Sequence, residues 1–264
     1  MRSRWPPPRD RVRPDVVLRL AVRAFSEVCL TAGTLIVLFV AYVLLWTGVE
    51  ADRAADGEMA RLRDRWAAGA PSAAPSAAAS AAPSAAPAAT SAPAPPPAAS
   101  AAPEEPRYPP GRAFAEMYVP RFGPDWVRPV LEGTDAELLK KGLGHYASTA
   151  RLGAVGNFSV AGHRRTYGDP FKDFPKLRPG DEVVLRDAGT WYTYTIRGGP
   201  LRTVPTDVGV VDPVPQKSPF TAPGRYLTLT TCDPEWGHSH RLVVWAELTG
   251  TRAGGQGRPG GSSR

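Results

Sequence analysis

Between Ala67 and Pro103 every residue is alanine, proline, serine, threonine or glycine. A run of this kind has no large apolar side chain with which to build a core, and its recurrent prolines remove helix hydrogen bonds. It therefore divides the chain, and whatever folds must lie to either side of it. As polyproline II it would extend about 3.1 Å per residue and reach on the order of 115 Å. The expectation is a disordered tether over residues 67–106 that holds a domain well away from its point of attachment. Much of the 42% hydrophobic content is alanine of this run, which buries almost nothing.

Upstream, Val28 to Val49 is uncharged and mostly apolar. As a helix rising about 1.5 Å per residue, it would cover about 33 Å, enough to span a bilayer. A cleaved secretory signal has a shorter apolar stretch, of about 7 to 15 residues, and ends at small residues. Here Tyr42 and Trp46 stand near the far end, where an interfacial aromatic belt would lie, so the run is read as an uncleaved transmembrane helix over residues 28–49. Residues 1–27 form a basic arm with seven arginines against three acids. The positive-inside rule keeps that arm cytoplasmic and the rest of the chain outside the cell membrane. Residues 50–66 mix both charges and read as a short juxtamembrane helix or stem.

The formal net charge of +7 is no sign of nucleic acid. From Arg107 to Arg252, 19 basic and 15 acidic residues are spread without a block, whereas a nucleic-acid binder concentrates its cations in a stripe on the folded part. The two cysteines cannot build a disulfide framework, because Cys29 sits in the apolar run and Cys232 far downstream. Cys232 is left as a free thiol.

Residues 107–252 number roughly 145, enough for one core of ordinary size. Ala113–Val119, Asn157–Gly162, Asp181–Arg186, Thr190–Arg197, Arg225–Thr231 and Arg241–Leu248 are enriched in β-branched and aromatic residues. Asp187-Ala188-Gly189 is short enough to turn a hairpin between two of them. One helix is expected at Asp135–Leu143, with Thr134 as N-cap and Glu137 completing a capping box. Many short strands with one or two short helices predict a mainly β domain, a barrel or sandwich. The glycine-rich tail, residues 253–264, is expected to be disordered.

Three residue types that can do chemistry fall at the ends of three of these strands. Cys232 closes Tyr226–Cys232 just before Asp233-Pro234, His163 closes Asn157–His163, and Arg241 opens the last strand. Such a trio suits acyl transfer through a thioester, with a thiol to attack a carbonyl, an imidazole to protonate the departing amine and a guanidinium to steady the developing charge. A lone cysteine can equally be a buried packing residue. Asp169 could orient His163 or cap the following segment. His145 reads as structural. Cys232, His238 and His240 fall within nine residues but lack a fourth ligand for a structural zinc site, so no metal or cofactor is expected. His238 and His240 read as loop residues near the cleft. The acids form no calcium-binding cluster.

Gly144-His145-Tyr146, the stretch from Gly156 to Arg164, Thr228-Leu229-Thr230-Thr231-Cys232, and Arg241 resemble, in that order, the motif set of the sortases. These are membrane-anchored cysteine transpeptidases of Gram-positive bacteria. The resemblance runs from Arg112 to Thr251 and is greatest to class E, the housekeeping type of high-GC actinobacteria, which fits the Ala/Pro/Arg/Gly-heavy usage. It implies an eight-stranded sortase barrel over residues 107–252. It also implies Cys232 as nucleophile, His163 as general acid/base, Arg241 as the oxyanion-stabilising and substrate-positioning residue, and Tyr146, Thr230 and Thr231 as substrate-binding. Tyr146 matches a tyrosine linked in class E to preferring Leu-Ala-x-Thr-Gly over Leu-Pro-x-Thr-Gly. The implied partners are secreted proteins with a C-terminal sorting signal, cut between Thr and Gly, and a peptidoglycan precursor of the lipid II type as amine acceptor. The competing expectation is a membrane-tethered, non-catalytic wall-binding β-domain with an inert Cys232. The string Cys232-Asp233-Pro234 does not match the other wall-linked cysteine family, the L,D-transpeptidases.

Overall fold

A computed structural model describes residues 14–69 and 108–259. The expected tether between Ala70 and Arg107, the first 13 residues of the basic arm and the last five of the tail lie outside the described residues. The first described segment is one helix, α1 (Pro14–Gly69). Its stretch Leu18–Tyr42 is long and apolar enough to cross a membrane, and none of the other described residues covers it.

Helix α1 runs through residues 50–66 without a break. No proline interrupts it, and Glu50–Arg53 (3.9 Å) and Glu58–Arg61 (2.9 Å) pair one turn apart. Ala51, Ala55, Met59 and Leu62 recur at helical spacing and are all buried. The short juxtamembrane helix or stem expected over residues 50–66 is thus helical, as the docked half of a longer helix. Leu62 and Trp66 pack with Ala113, Leu131 and Leu138. Beside this seam Arg63 Nε donates to Glu116 Oε1 at 2.6 Å, and the Glu116 side chain is fully buried. The Tyr118 hydroxyl donates to the same carboxylate, and burial followed by Glu116 pushes its pKa up to about 12. Arg65 donates to the carbonyl of Ala113 (2.6 Å) and Arg128 to Asp52 (3.0 Å).

The rest is a closed barrel. Its strands are β1 (Ala113–Tyr118), β2 (Val127–Glu132), β3 (Leu143–His145), β4 (Gly156–Ala161), β5 (Glu182–Arg186), β6 (Thr190–Thr203), β7 (Arg225–Asp233) and β8 (His240–Ala253). They close in the order β1-β2-β3-β4-β7-β8-β6-β5. The pairs β2–β3 and β4–β7 are parallel and the others antiparallel. Alternate residues fill the interior: Phe158 and Val160 from β4, Leu227 and Leu229 from β7, Val244 and Ala246 from β8. The outward-facing Val243 and Trp245 are covered by Val210 of a short 3-10 turn, Val208–Val211. The β5–β6 hairpin is closed by Asp187, whose Oδ1 accepts from the amides of Gly189 (2.9 Å) and Thr190 (2.8 Å).

Three expectations are corrected. The helix expected at Asp135–Leu143 is a single turn, α2 (Ala136–Leu139), preceded by Asp135 rather than Thr134 and lacking a side-chain cap. The chain straightens into β3 because Gly142 runs against β2; a Cβ there would lie 2.7 Å from the Pro129 carbonyl oxygen. Strands β2 and β3 were not anticipated, the first because it carries Pro129 and the second because it is three residues long. The tail is held on the barrel as far as Arg258: β8 runs to Ala253, and Arg258 donates to the Pro124 carbonyl (3.3 Å) and stands 5.3 Å over the Tyr118 ring.

Candidate active site

Strands β4 and β7 run parallel, with Ala161 beside Thr230. The register continues past the end of β4. The Gly162 amide donates to the Thr230 carbonyl (3.1 Å) and the Thr231 hydroxyl to the Gly162 carbonyl (2.8 Å), which brings His163 level with Cys232. On the other side of β7, Cys232 pairs directly with Arg241 of β8. Cys232 of β7, Arg241 of β8 and His163 just past the end of β4 therefore share one level of the wall. They share the parity of Ser159, Thr230 and Val243, opposite to that of the interior Val160, Leu229 and Val244. The site thus lies on the outer wall near the strand ends and does not ring the barrel mouth.

Cys232 is a half-buried free thiol. The His163 imidazole is mostly buried, its Nε2 has no hydrogen-bond partner among the described residues, and its ring stands 5.1 Å from Tyr167. Burial first, and the Lys140 ammonium second, hold its pKa below the usual histidine value. The Phe171 amide donates to the His163 carbonyl (3.0 Å) and fixes its backbone. Beyond it Thr166, Tyr167, Gly168 and Asp169 all adopt positive φ, an unusual run for a β-branched and a bulky residue. Arg165 pins this loop by pairing with Glu235 and with Asp169 (3.2 Å). The Asp169 carboxylate is thereby committed to Arg165; it neither orients His163 nor caps the next segment.

Arg241 Nη1 donates to the carbonyls of His238 (3.0 Å) and His240 (2.9 Å), so the β7–β8 loop holds the guanidinium in place. It borders a cavity of about 90 Å³ that is also lined by Tyr146, Thr203, Val208, Thr230 and Val243. The Tyr146 hydroxyl and Thr230 Oγ1 are 3.0 Å apart across this cavity. Thr231 is elsewhere: it is 2% exposed and its hydroxyl ties β7 to β4, so it belongs to the wall behind the site. His238 lies on the β7–β8 loop, whereas His240 opens β8 opposite Asp233, and its Nδ1 accepts from Arg202 (3.1 Å). Among the described residues no group of three His, Cys, Asp or Glu side chains is placed to hold a metal ion.

His145 is a structural residue. It is 1% exposed, with Nδ1 2.5 Å from Glu132 Oε2 and Nε2 3.1 Å from both the Ala150 carbonyl and Thr149 Oγ1. One group beside the site escaped the sequence reading. The Asp233 carboxylate accepts from Arg164 and from Arg202 Nε (2.6 Å), tying together the ends of β4, β7 and β6 next to Cys232. Its signal was an acid directly after the cysteine and an arginine directly after the histidine.

A family model described as Sortase domain matches residues 117–249. The chain is 34% identical to Sortase SrtE1 of Streptomyces coelicolor over 256 residues, which are 94% of this chain and 63% of that protein. It is 31% identical to Sortase SrtE2 of the same organism over 249 residues, 92% of this chain and 88% of that protein. Sortase E from Streptomyces avermitilis superposes at a TM-score of 0.55 with 66% identity, covering 58% of this chain and 98% of that structure. Sortase E1 from Streptomyces coelicolor, solved with a tripeptide in its active site, superposes at 0.55 with 39% identity, covering 57% of this chain and 96% of that structure.

Proposed function

The chain belongs to the sortase family, and from that premise we propose that it is a class E-type cysteine transpeptidase acting through Cys232, His163 and Arg241. The observation that carries this reading is the register that sets Cys232 between the other two. With its pKa held below the ordinary value, His163 rests as neutral imidazole near neutral pH and can take the thiol proton. The Cys232 thiolate then attacks the threonine carbonyl of a sorting signal, and Arg241 steadies the oxyanion. As the intermediate collapses, the Thr–Gly C–N bond breaks and His163 returns the proton to the departing glycine amine, leaving a thioester on Cys232. An acceptor amine attacks the thioester, His163 removes its proton, and the thiolate leaves as the new amide forms.

The substrate in this reading is a secreted protein with a C-terminal Leu-Ala-x-Thr-Gly or Leu-Pro-x-Thr-Gly signal. Tyr146 and Thr230 at the cavity beside Arg241 contact the residues before the scissile bond. The acceptor is a peptidoglycan amine of the lipid II type. Helix α1 crosses the cell membrane once, with the arginine arm in the cytoplasm and the barrel outside. The test is cleavage of a fluorogenic Leu-Ala-x-Thr-Gly peptide by the full chain, with an added amine to capture the product. The amide should form with the wild-type chain and not with Cys232→Ala; undiminished turnover by that variant refutes the reading.

A further inference from the structure

Strand polarity fixes which end of the barrel faces the foot of α1. Along α1, Leu62 packs with Leu131, whereas Asp52, ten residues nearer the apolar stretch, meets Arg128. Strand β2 therefore runs away from that stretch. Strand β3 is parallel to β2, β4 antiparallel to β3, and β7 parallel to β4, so β4 and β7 run back toward it. The C-terminal ends of β4 and β7, which carry His163 and Cys232, lie at the same end as the foot of α1. The contacts agree: Tyr167, whose ring neighbours His163, lines one cavity with Trp46 and Ala51 and another with Gly48, Asp52 and Trp236.

Gly48 is six residues past Tyr42, or about 9 Å at about 1.5 Å per residue, and it falls within the uncharged run that ends at Val49. The headgroup layer on each side of a bilayer is about 5–7 Å thick. With α1 spanning the bilayer, Gly48 lies at the water-side edge of the hydrocarbon when the span is counted to Val49, and about 2–4 Å outside the headgroup layer when it is counted to Tyr42. At this level the β7–β8 loop presents Trp236, 68% exposed, with Lys172 lining the same cavity and Lys141 lining the neighbouring one beside Trp46. Amphipathic Trp rings and long Lys stems are the side chains that favour a membrane–water interface.

We propose that the catalytic end of the barrel docks on the headgroup layer of the bilayer that α1 crosses, with Trp236 as its interfacial anchor and the docked half of α1 as the strut that sets its height. The proposal rests on the membrane-spanning reading of α1. It deepens the proposed function, because a thiol held at that level acts on peptide segments kept close to the membrane surface. The run after Ala67 then cannot set the height of the site, whatever its reach, since α1 is docked on the barrel before that run begins.

The test is the depth of nitroxide labels on the full chain in nanodiscs of phosphatidylglycerol and phosphatidylcholine. Single cysteines are placed by Trp236→Cys, Lys172→Cys, Val155→Cys and Leu35→Cys in a Cys29→Ala, Cys232→Ala background. Depth is read as relative accessibility to oxygen and to a water-soluble nickel chelate. Val155, 66% exposed just before β4 begins, reports the far end of the barrel, and Leu35 the bilayer interior. The labels at 236 and 172 should both lie at headgroup depth, several-fold less accessible to nickel than the label at 155, with the label at 35 deep in hydrocarbon. A label at 35 that is deep while those at 236 and 172 are as wet as the one at 155 overturns the docking and leaves the span standing. A label at 35 that is itself in water overturns the span, and the docking with it.

Discussion

Replacing Leu62 by alanine tests whether α1 and the barrel are one cooperative unit. Leu62 is 1% exposed and packed with Ala113 and Leu131, both of them buried barrel residues. Leu→Ala at such sites costs about 2–5 kcal/mol. The lower part of that range applies here, because a helix docked on a surface can shift to close part of the gap, and because Arg63–Glu116 and Arg65–Ala113 still hold it. A loss of about 2–3 kcal/mol lowers the melting temperature of a chain this size by about 4–12 °C. The assay is thermal unfolding of the full chain in detergent, followed by near-ultraviolet circular dichroism, which reports the packed barrel aromatics. Leu35→Ala, in the exposed apolar stretch, is the matched control and should leave the barrel transition where it is. A Leu62→Ala transition within 1 °C of wild type would mean that α1 contributes nothing to the barrel, and would remove the strut from the account.

Lys140→Met takes away the second cause of the depressed His163 pKa, so the imidazole pKa, followed by its carbon-bound proton shifts, should rise while burial keeps it below 6.5; an unchanged or lower value contradicts the assignment of cause. Because the folded state resists a proton that the unfolded chain accepts, stability should fall as pH drops from the unfolded value of 6.5 to the folded one and stay level below it, and Lys140→Met should shrink that loss. Arg241→Lys should lose at least ten-fold in kcat/KM on a sorting peptide, since an ammonium cannot both hold the His238 and His240 carbonyls and present a planar donor pair to the substrate; near-normal kinetics would take Arg241 out of the site.

The legible parts of the fold are those where one local signal dominated. Strands β4, β7 and β8 could be read because Phe158, Leu227 and Val244 fall in β-branched and aromatic runs bounded by turns. The candidate site could be proposed from sequence because Cys232, His163 and Arg241 each stand where such a run starts or stops. What the chain did not reveal depends on contacts between distant segments. Pro129 hides β2, and the helical pattern from Ala136 yields to β3 because Gly142 must pack against a strand whose existence was not evident. The inner and outer faces of β8 are equally apolar, since Val243 and Trp245 are covered by Val210, so alternation alone could not show that the site lies on the outer wall. Residues 50–66 read as a short helix or stem without a sign of docking, because their charges are conspicuous while the buried stripe of Ala51, Ala55, Met59 and Leu62 is mostly small. Asp233 was legible only as a breaker after the cysteine; its two arginine partners come from other strands.

The claim on which the rest depends is that Cys232 carries the acyl group. Intact-protein and peptide mass spectrometry after brief exposure of the full chain to a Leu-Ala-x-Thr-Gly peptide, quenched in acid, measures this directly. The account predicts an adduct equal to the Leu-Ala-x-Thr acyl group on the peptide containing Cys232, released by hydroxylamine and absent from Cys232→Ala. Cleavage of the peptide with no adduct on Cys232, or with the adduct on another residue, would contradict it.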